Sequence, residues 1–152
     1  MKNIVILGAG RVGSLVSCLL VESGDYTVHL IDRYIPHDKP VLEKNVDNLI
    51  YVELDATNSS DLKNYVQQND IKTIISCLPF FLNKDIAKIA GELELNYFDL
   101  TEDVRGYYLY QSIADKAEIV LCTAMWPSSR AIPRINQDVV LIYVSVDGSE
   151  KV

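Results

Sequence analysis

Three observations predict an α/β fold with a doubly wound, mainly parallel sheet of about six strands. Short apolar runs of strand length alternate with amphipathic helical stretches along most of the chain. The first run, Ile4-Val5-Ile6-Leu7, is apolar without interruption, as strands covered on both faces of a parallel sheet are. It breaks at Gly8-Ala9-Gly10-Arg11-Val12-Gly13, a glycine-rich turn that opens a helix.

The elements then follow in order. Val12, Leu15, Val16, Leu19 and Leu20 recur at helical spacing, which predicts a first helix over 12–23 with these residues as its apolar stripe and Gly24 as its C-terminal glycine. Tyr26-Thr27-Val28-His29-Leu30-Ile31-Asp32 is rich in strand formers and ends on an acid, completing a strand–helix–strand unit. Residues 35–49 contain Pro36 and Pro40 without a clean period and read as a loop or a short helix over 41–48. A third strand is predicted over 49–54. Asn58, Ser59 and Ser60 are candidate N-caps for a second helix striped by Leu62, Tyr65 and Val66. A fourth strand over 72–76 leads through Pro79 to a third helix marked by Ile86, Ile89, Ala90 and Leu93. A fifth strand over 97–100, a helix over 112–117 and a sixth strand over 119–121 complete the pattern, which implies right-handed parallel crossovers. Beyond Cys122 the pattern weakens, and only 138–146 reads as an isolated edge-strand candidate.

At 152 residues the chain has the length of one domain. Its net charge of -7, from 14 Lys and Arg against 21 Asp and Glu, argues against nucleic-acid and polybasic membrane partners. No apolar stretch approaches the roughly 20 residues of a membrane span. The cysteines Cys18, Cys77 and Cys122 are odd in number and scattered, with no metal-binding spacing, so a reducing, cytoplasmic setting is expected and no metal.

Gly8, Gly10 and Gly13 spell GxGxxG after a buried strand, and Asp32 stands 19 residues beyond Gly13 at the end of the next strand. That context is the dinucleotide fingerprint of a Rossmann-type fold: a tight turn at Gly8, pyrophosphate approach at Gly10, helix–strand packing at Gly13, and phosphates on the helix N-terminus around Arg11 and Val12. Asp32 would accept from the ribose hydroxyls and repel a 2′-phosphate, which favours NAD; Arg33 beside it leaves NADP open. Asp55 and Ala56 follow the third strand and would border the adenine, although Asp55 reads equally well as a helix cap. Cys77, Leu78 and Pro79 end the fourth strand and would run beside the ribose and nicotinamide. Cys77 reads as a small buried residue rather than a nucleophile, since no histidine accompanies it and His29 lies within a strand. Tyr107, Tyr108 and Tyr110 read as packing residues. No catalytic residue is assigned.

Residues 3–33, Val52-Glu53-Leu54-Asp55-Ala56-Thr57, Thr73-Ile74-Ile75-Ser76-Cys77-Leu78-Pro79 and Tyr97-Phe98-Asp99-Leu100-Thr101-Glu102 together resemble the N-terminal cofactor domain of the saccharopine dehydrogenase-like family. The resemblance implies an NAD(P)-dependent oxidoreductase of amino-acid C–N bonds, as in lysine metabolism, whose second domain supplies substrate binding and dimer contacts. It implies a cofactor domain over 1–122 and, over 123–152, an irregular tail where the family continues with Gln-Cys-Gly-x-Ala-Pro-Gly. Cys122-Thr123-Ala124-Met125-Trp126-Pro127-Ser128-Ser129-Arg130 stands there instead. A one-base shift in a compatible choice of codons recovers a related string, so an out-of-frame tail and a missing substrate domain are expected, with an amino-acid substrate only if that domain is supplied. A genuine edge strand over 138–146 is the competing reading. The glycine turn and Val28-His29-Leu30-Ile31-Asp32-Arg33 also resemble nucleotide-sensing regulatory domains of potassium transport systems, and flavin or nucleotide-sugar binders share the fingerprint.

Overall fold

Strand and helix alternate from the first residues of the computed structural model, which describes residues 1–35, 46–100 and 121–123. The order is β1 (Lys2–Leu7), α1 (Arg11–Glu22), β2 (Tyr26–Asp32), a 3-10 turn (Val46–Asn48), β3 (Leu49–Glu53), α2 (Ser59–Gln68), β4 (Thr73–Ser76), α3 (Phe80–Glu92), β5 (Asn96–Asp99) and β6 (Leu121–Thr123). In space the strands run β3-β2-β1-β4-β5-β6, all parallel. β1 is therefore central, with Ile4 facing Val28 on one side and Thr73 on the other. The chain winds outward from β1 in one direction and then from β4 in the other, so a crevice opens between the carboxyl ends of β1 and β4, the switch point where ligands of such sheets bind.

Side-chain alternation along the strands divides the core into two layers. Val5, Leu7, Ile31 and Ile74 face α2 and α3, where Leu62, Val66, Ile86, Ile89 and Ala90 close over them. Ile4, Ile6, Val28 and Leu30 face α1, with Val21 buried and Val16 and Leu20 packed at the margin. Because β1 is buried on both faces, all four of its last residues must be apolar, which is why Ile4 to Leu7 carry no alternation in sequence.

Helix α1 packs differently from the expected stripe. Val12, Leu15 and Leu19 are 49%, 59% and 60% exposed, and the buried positions are Gly13, Ser17 and Val21. At its start α1 lies so close to the preceding turn that a Cβ on Gly13 would meet the Gly8 carbonyl oxygen at 1.8 Å, and the buried Ser17 hydroxyl donates to the Gly13 carbonyl at 2.7 Å. Helix α2 follows its expected stripe, and its cap is Asn58, whose side chain accepts from the backbone N–H groups of Ser60 and Asp61. Asn58 is thus the cap among the three expected candidates, and of the two readings left open for Asp55 the one as helix cap falls away. The sixth strand is described at Leu121–Thr123, which meets the expected 119–121 at Leu121 and extends beyond it. The segments 36–45, 101–120 and 124–152 lie outside the described residues, and with them the predicted helix over 112–117, the three tyrosines and the edge-strand candidate. No helix among the described residues is long and apolar enough to cross a membrane.

Candidate functional site

The crevice at the switch point is walled by the turn between β1 and α1. Each of its three glycines stands in a different steric situation. Gly8 has φ +100°, a conformation that L side chains rarely adopt, and a Cβ there would come to 3.0 Å from the Cys77 carbonyl oxygen. A Cβ on Gly13 would lie 1.8 Å from the Gly8 carbonyl oxygen, so the first turn of α1 abuts the backbone of the preceding loop. Gly10 is the opposite case: no heavy atom lies within 4 Å of a Cβ built there, and its φ of -71° is open to any residue.

Gly10 is also the N-cap of α1. It provides no side-chain acceptor, and the first turn contains no acid. The first-turn N–H groups and the positive end of the helix dipole therefore face the crevice without a side chain to neutralise them, which suits an anion. Arg11 and Val12, in that turn, are exposed.

Backbone hydrogen bonds tie this turn to β2 and join the carboxyl ends of β1 to β4 and of β2 to β3. Gly8 N–H donates to Ile31 at 2.8 Å, Cys77 N–H to Leu7 at 2.8 Å, and Leu54 N–H to Asp32 at 2.9 Å. The half-buried Asp32 carboxylate accepts from the Ala9 N–H at 2.7 Å and from the Tyr34 N–H at 3.3 Å, which orients it beside the glycine turn. Glu53 lies opposite Asp32 in register on β3.

Arg33, Asp55 and Thr57 form a second group on the same rim. Arg33 Nε pairs with Asp55 Oδ1 at 3.0 Å, and Arg33 Nη2 donates to Thr57 Oγ1 at 3.1 Å. Hydrogen bonds from the Thr57 hydroxyl and backbone N–H hold the Asp55 carboxyl below its ordinary pKa of 3.8 against the opposing effect of desolvation, with lesser help from Arg33. Ala56 is 8% exposed and its methyl belongs to the core, so only its backbone faces the rim.

On the other side of the crevice, Cys77 is half-buried against the α1 layer and Leu78 is packed on the α2–α3 layer, while Pro79 caps α3 from an exposed position. Burial pushes the Cys77 thiol up from its ordinary 9.0, which disfavours the thiolate a nucleophile needs. Phe80 and Phe81, 60% and 63% exposed, meet edge to face at the start of α3.

Sequence reasoning missed a buried polar group at the carboxyl ends of β4 and β5. Ser76 Oγ donates to Asn83 Oδ1 at 2.7 Å, and the Tyr97 hydroxyl lies 3.3 Å from the Asn83 carbonyl oxygen and 3.0 Å from Asp99 Oδ2. These contacts fix the start of α3 against both strands. The available signal was a serine and an aspartate at the ends of otherwise apolar strands, with an asparagine one helical turn into α3. His29 lies apart from the rim, sharing a 2.7 Å hydrogen bond with the Tyr65 hydroxyl, and burial lowers its pKa from 6.5. No group of three or more His, Cys, Asp or Glu side chains suited to a metal occurs among the described residues.

Comparison with known proteins gives a family and a set of folds. The family model described as "Saccharopine dehydrogenase NADP binding domain" matches residues 4–130. Comparison with curated protein sequences gives no match. Among solved structures, the apo saccharopine dehydrogenase (L-Glu forming) of Saccharomyces cerevisiae superposes with a TM-score of 0.65 at 20% identity, over 81% of this chain and 27% of that one. A GalE-like L-threonine dehydrogenase from Cupriavidus necator, in holo form, gives 0.63 at 15% identity, over 90% of this chain and 58% of that one. The Bordetella bronchiseptica enzyme WbmH in complex with NAD+ gives 0.61 at 13% identity, over 83% and 56%. These likenesses establish the fold, and the chain spans about a quarter to three-fifths of the structures it matches. With its sheet order, its glycine turn and the family match over residues 4–130, the chain belongs to the saccharopine dehydrogenase NADP-binding domain family, and its cofactor class is the nicotinamide dinucleotide.

Proposed function

We propose that this chain binds NAD(H) in preference to NADP(H) along the carboxyl edge of its sheet, as the cofactor-binding part of an oxidoreductase of amino-acid C–N bonds. Gly10 carries the reading. Packing accounts for glycine at Gly8 and Gly13, but nothing among the described residues asks for glycine at Gly10, where a Cβ would meet no atom within 4 Å. As a helix N-cap, Ser, Asp or Asn would stabilise α1 at least as well. Glycine there makes sense if a ligand approaches the backbone.

In this reading the pyrophosphate rests on the N–H groups of Arg11, Val12 and Gly13, with the exposed Arg11 side chain beside it. Asp32 accepts from the adenosine ribose hydroxyls. Arg33, Asp55 and the backbone of Ala56 border the adenine, and Cys77, Leu78 and Pro79 flank the ribose and nicotinamide. A nicotinamide dinucleotide, when bound, supplies the hydride acceptor or donor. The residues named here bind and orient it, and none is assigned an acid–base role. The amino-acid C–N reaction rests on family membership alone.

The family description names NADP. Two features of this chain support NAD instead: Asp32 and Glu53 put two carboxylates side by side in register at the β2–β3 edge, and the one arginine in the Arg33–Asp55–Thr57 group is already ion-paired. The test is a pair of calorimetric or fluorescence titrations with NADH and NADPH. Tighter binding of NADH is expected. Tighter binding of NADPH overturns the role given to Asp32, and binding of neither reduces the glycine turn to a packing device.

A further inference from the structure

Arg33 follows Asp32, the acid assigned to the ribose, directly in sequence, which puts a positive group beside the point where NAD and NADP differ. Its guanidinium is not available there. Nε is held by Asp55 Oδ1 at 3.0 Å, and Nη2 donates to Thr57 Oγ1 at 3.1 Å. The Thr57 hydroxyl spends its own proton on Asp55 Oδ1 at 2.6 Å, and the Thr57 N–H adds a second bond to the same oxygen at 2.9 Å. The result is a closed ring: a hydroxyl has one proton to donate, so accepting from Arg33 and donating to Asp55 gives each group a defined partner. The low pKa of Asp55 keeps its charge in place throughout the neutral range.

We propose that Asp55 is a specificity-determining positioning residue: with Thr57 it holds the Arg33 guanidinium against the carboxyl end of β3 and so withholds it from the 2′-phosphate of NADP. The proposal rests on the dinucleotide-binding reading and deepens it. Asp55 acts through Arg33, so discrimination between the two cofactors depends on an ion pair 22 residues apart in sequence as well as on Asp32. Release of the pair frees a fork-shaped donor suited to a phosphate without introducing a new positive residue.

The experiment is a comparison of NADH and NADPH dissociation constants, each pair measured on one preparation, for the full chain and its Asp55→Ala, Thr57→Val, Arg33→Ala and Arg33→Ala/Asp55→Ala variants. Because both ligands titrate the same sample, their affinity ratio is insensitive to a partly unfolded fraction. In Asp55→Ala the preference for NADH falls by about fivefold or more, chiefly through tighter NADPH binding, and Thr57→Val shifts it in the same direction by a smaller factor. In the Arg33→Ala background the Asp55→Ala effect disappears. Loss of one carboxylate from the rim would act equally in both backgrounds, so an Asp55→Ala effect that persists without Arg33 overturns the proposal. So does an unchanged ratio in Asp55→Ala, or in Thr57→Val should the first variant fail to fold. Binding of neither dinucleotide by the unsubstituted chain overturns the cofactor reading itself, an outcome distinct from an unchanged ratio.

Discussion

Alanine at Gly10 and at Gly13 separates ligand approach from packing. A Cβ at position 13 would lie 1.8 Å from the Gly8 carbonyl oxygen and 3.1 Å from its carbon, both rigid backbone atoms. Relief requires the start of α1 to withdraw from the turn by about 1 Å, and the same helix face carries the buried Ser17 and Val21, so the seam opens along its length. Overpacking of this kind costs about 3 kcal/mol. At roughly 4 °C per kcal/mol for a domain of about this size, Tm of Gly13→Ala falls by about 12 °C. Alanine at position 10 meets nothing within 4 Å at an ordinary φ, so its cost stays within about 1 kcal/mol, the loss of glycine at an N-cap. Its methyl group stands where the pyrophosphate comes closest, and NADH affinity falls about tenfold or more, which is about 1.4 kcal/mol. Thermal unfolding by circular dichroism and calorimetric titration of the same samples read the two effects. Wild-type NADH affinity in Gly10→Ala would refute the close approach, and a wild-type Tm in Gly13→Ala would refute the claim that this glycine sets the helix–strand spacing.

Two further outcomes concern stability. Asn58→Ala removes the acceptor for the Ser60 and Asp61 N–H groups and lowers stability by about 1 kcal/mol, read as a Tm drop of roughly 4 °C; an unchanged Tm would mean that another group caps α2. Burial lowers the pKa of His29 below 6.5, so on acidification the unfolded chain takes up this proton before the folded one does. The contribution of His29 to stability is then fully present above pH 6.5 and is lost as pH falls below 6.5 toward the folded pKa. Urea unfolding at pH 7.5, 6.5 and 5.5 should show a steeper loss for the wild type than for His29→Gln, and parallel losses would remove His29 as the cause.

Most of the sheet was legible because its signals are local. Ile4 to Leu7 and Tyr26 to Asp32 announce themselves as strands, and the glycine turn and Asp32 are separated by a spacing that one helix and one strand fix. The burial of α1 was not legible by the same means. Its large apolar residues Val12, Leu15 and Leu19 advertise a core stripe, yet the buried positions are Gly13, Ser17 and Val21. The informative signal was small residues at a four-residue interval, which hydrophobicity does not weigh. Asn58 was legible as one of three cap candidates for α2, whereas the alternative of Asp55 as the cap arose because Asp and Asn share that preference. The pairing of Arg33 with Asp55 and that of Ser76 with Asn83 depend on how loops and strand ends meet in space, which no local period encodes.

The central place of β1 also bears on the order in which the molecule can be made. Ile4 pairs with Val28 on one side, but its partner on the other side, Thr73, comes about 70 residues later. During synthesis at about 5–20 residues per second, β1 waits roughly 4–14 s for β4 to emerge. Until then its apolar face and one row of its backbone groups have no native cover. Although β1 precedes β2 in the chain, it gains its second neighbour only after β2 has both of its own, and the interval before β4 is available leaves one edge of β1 open to wrong pairing.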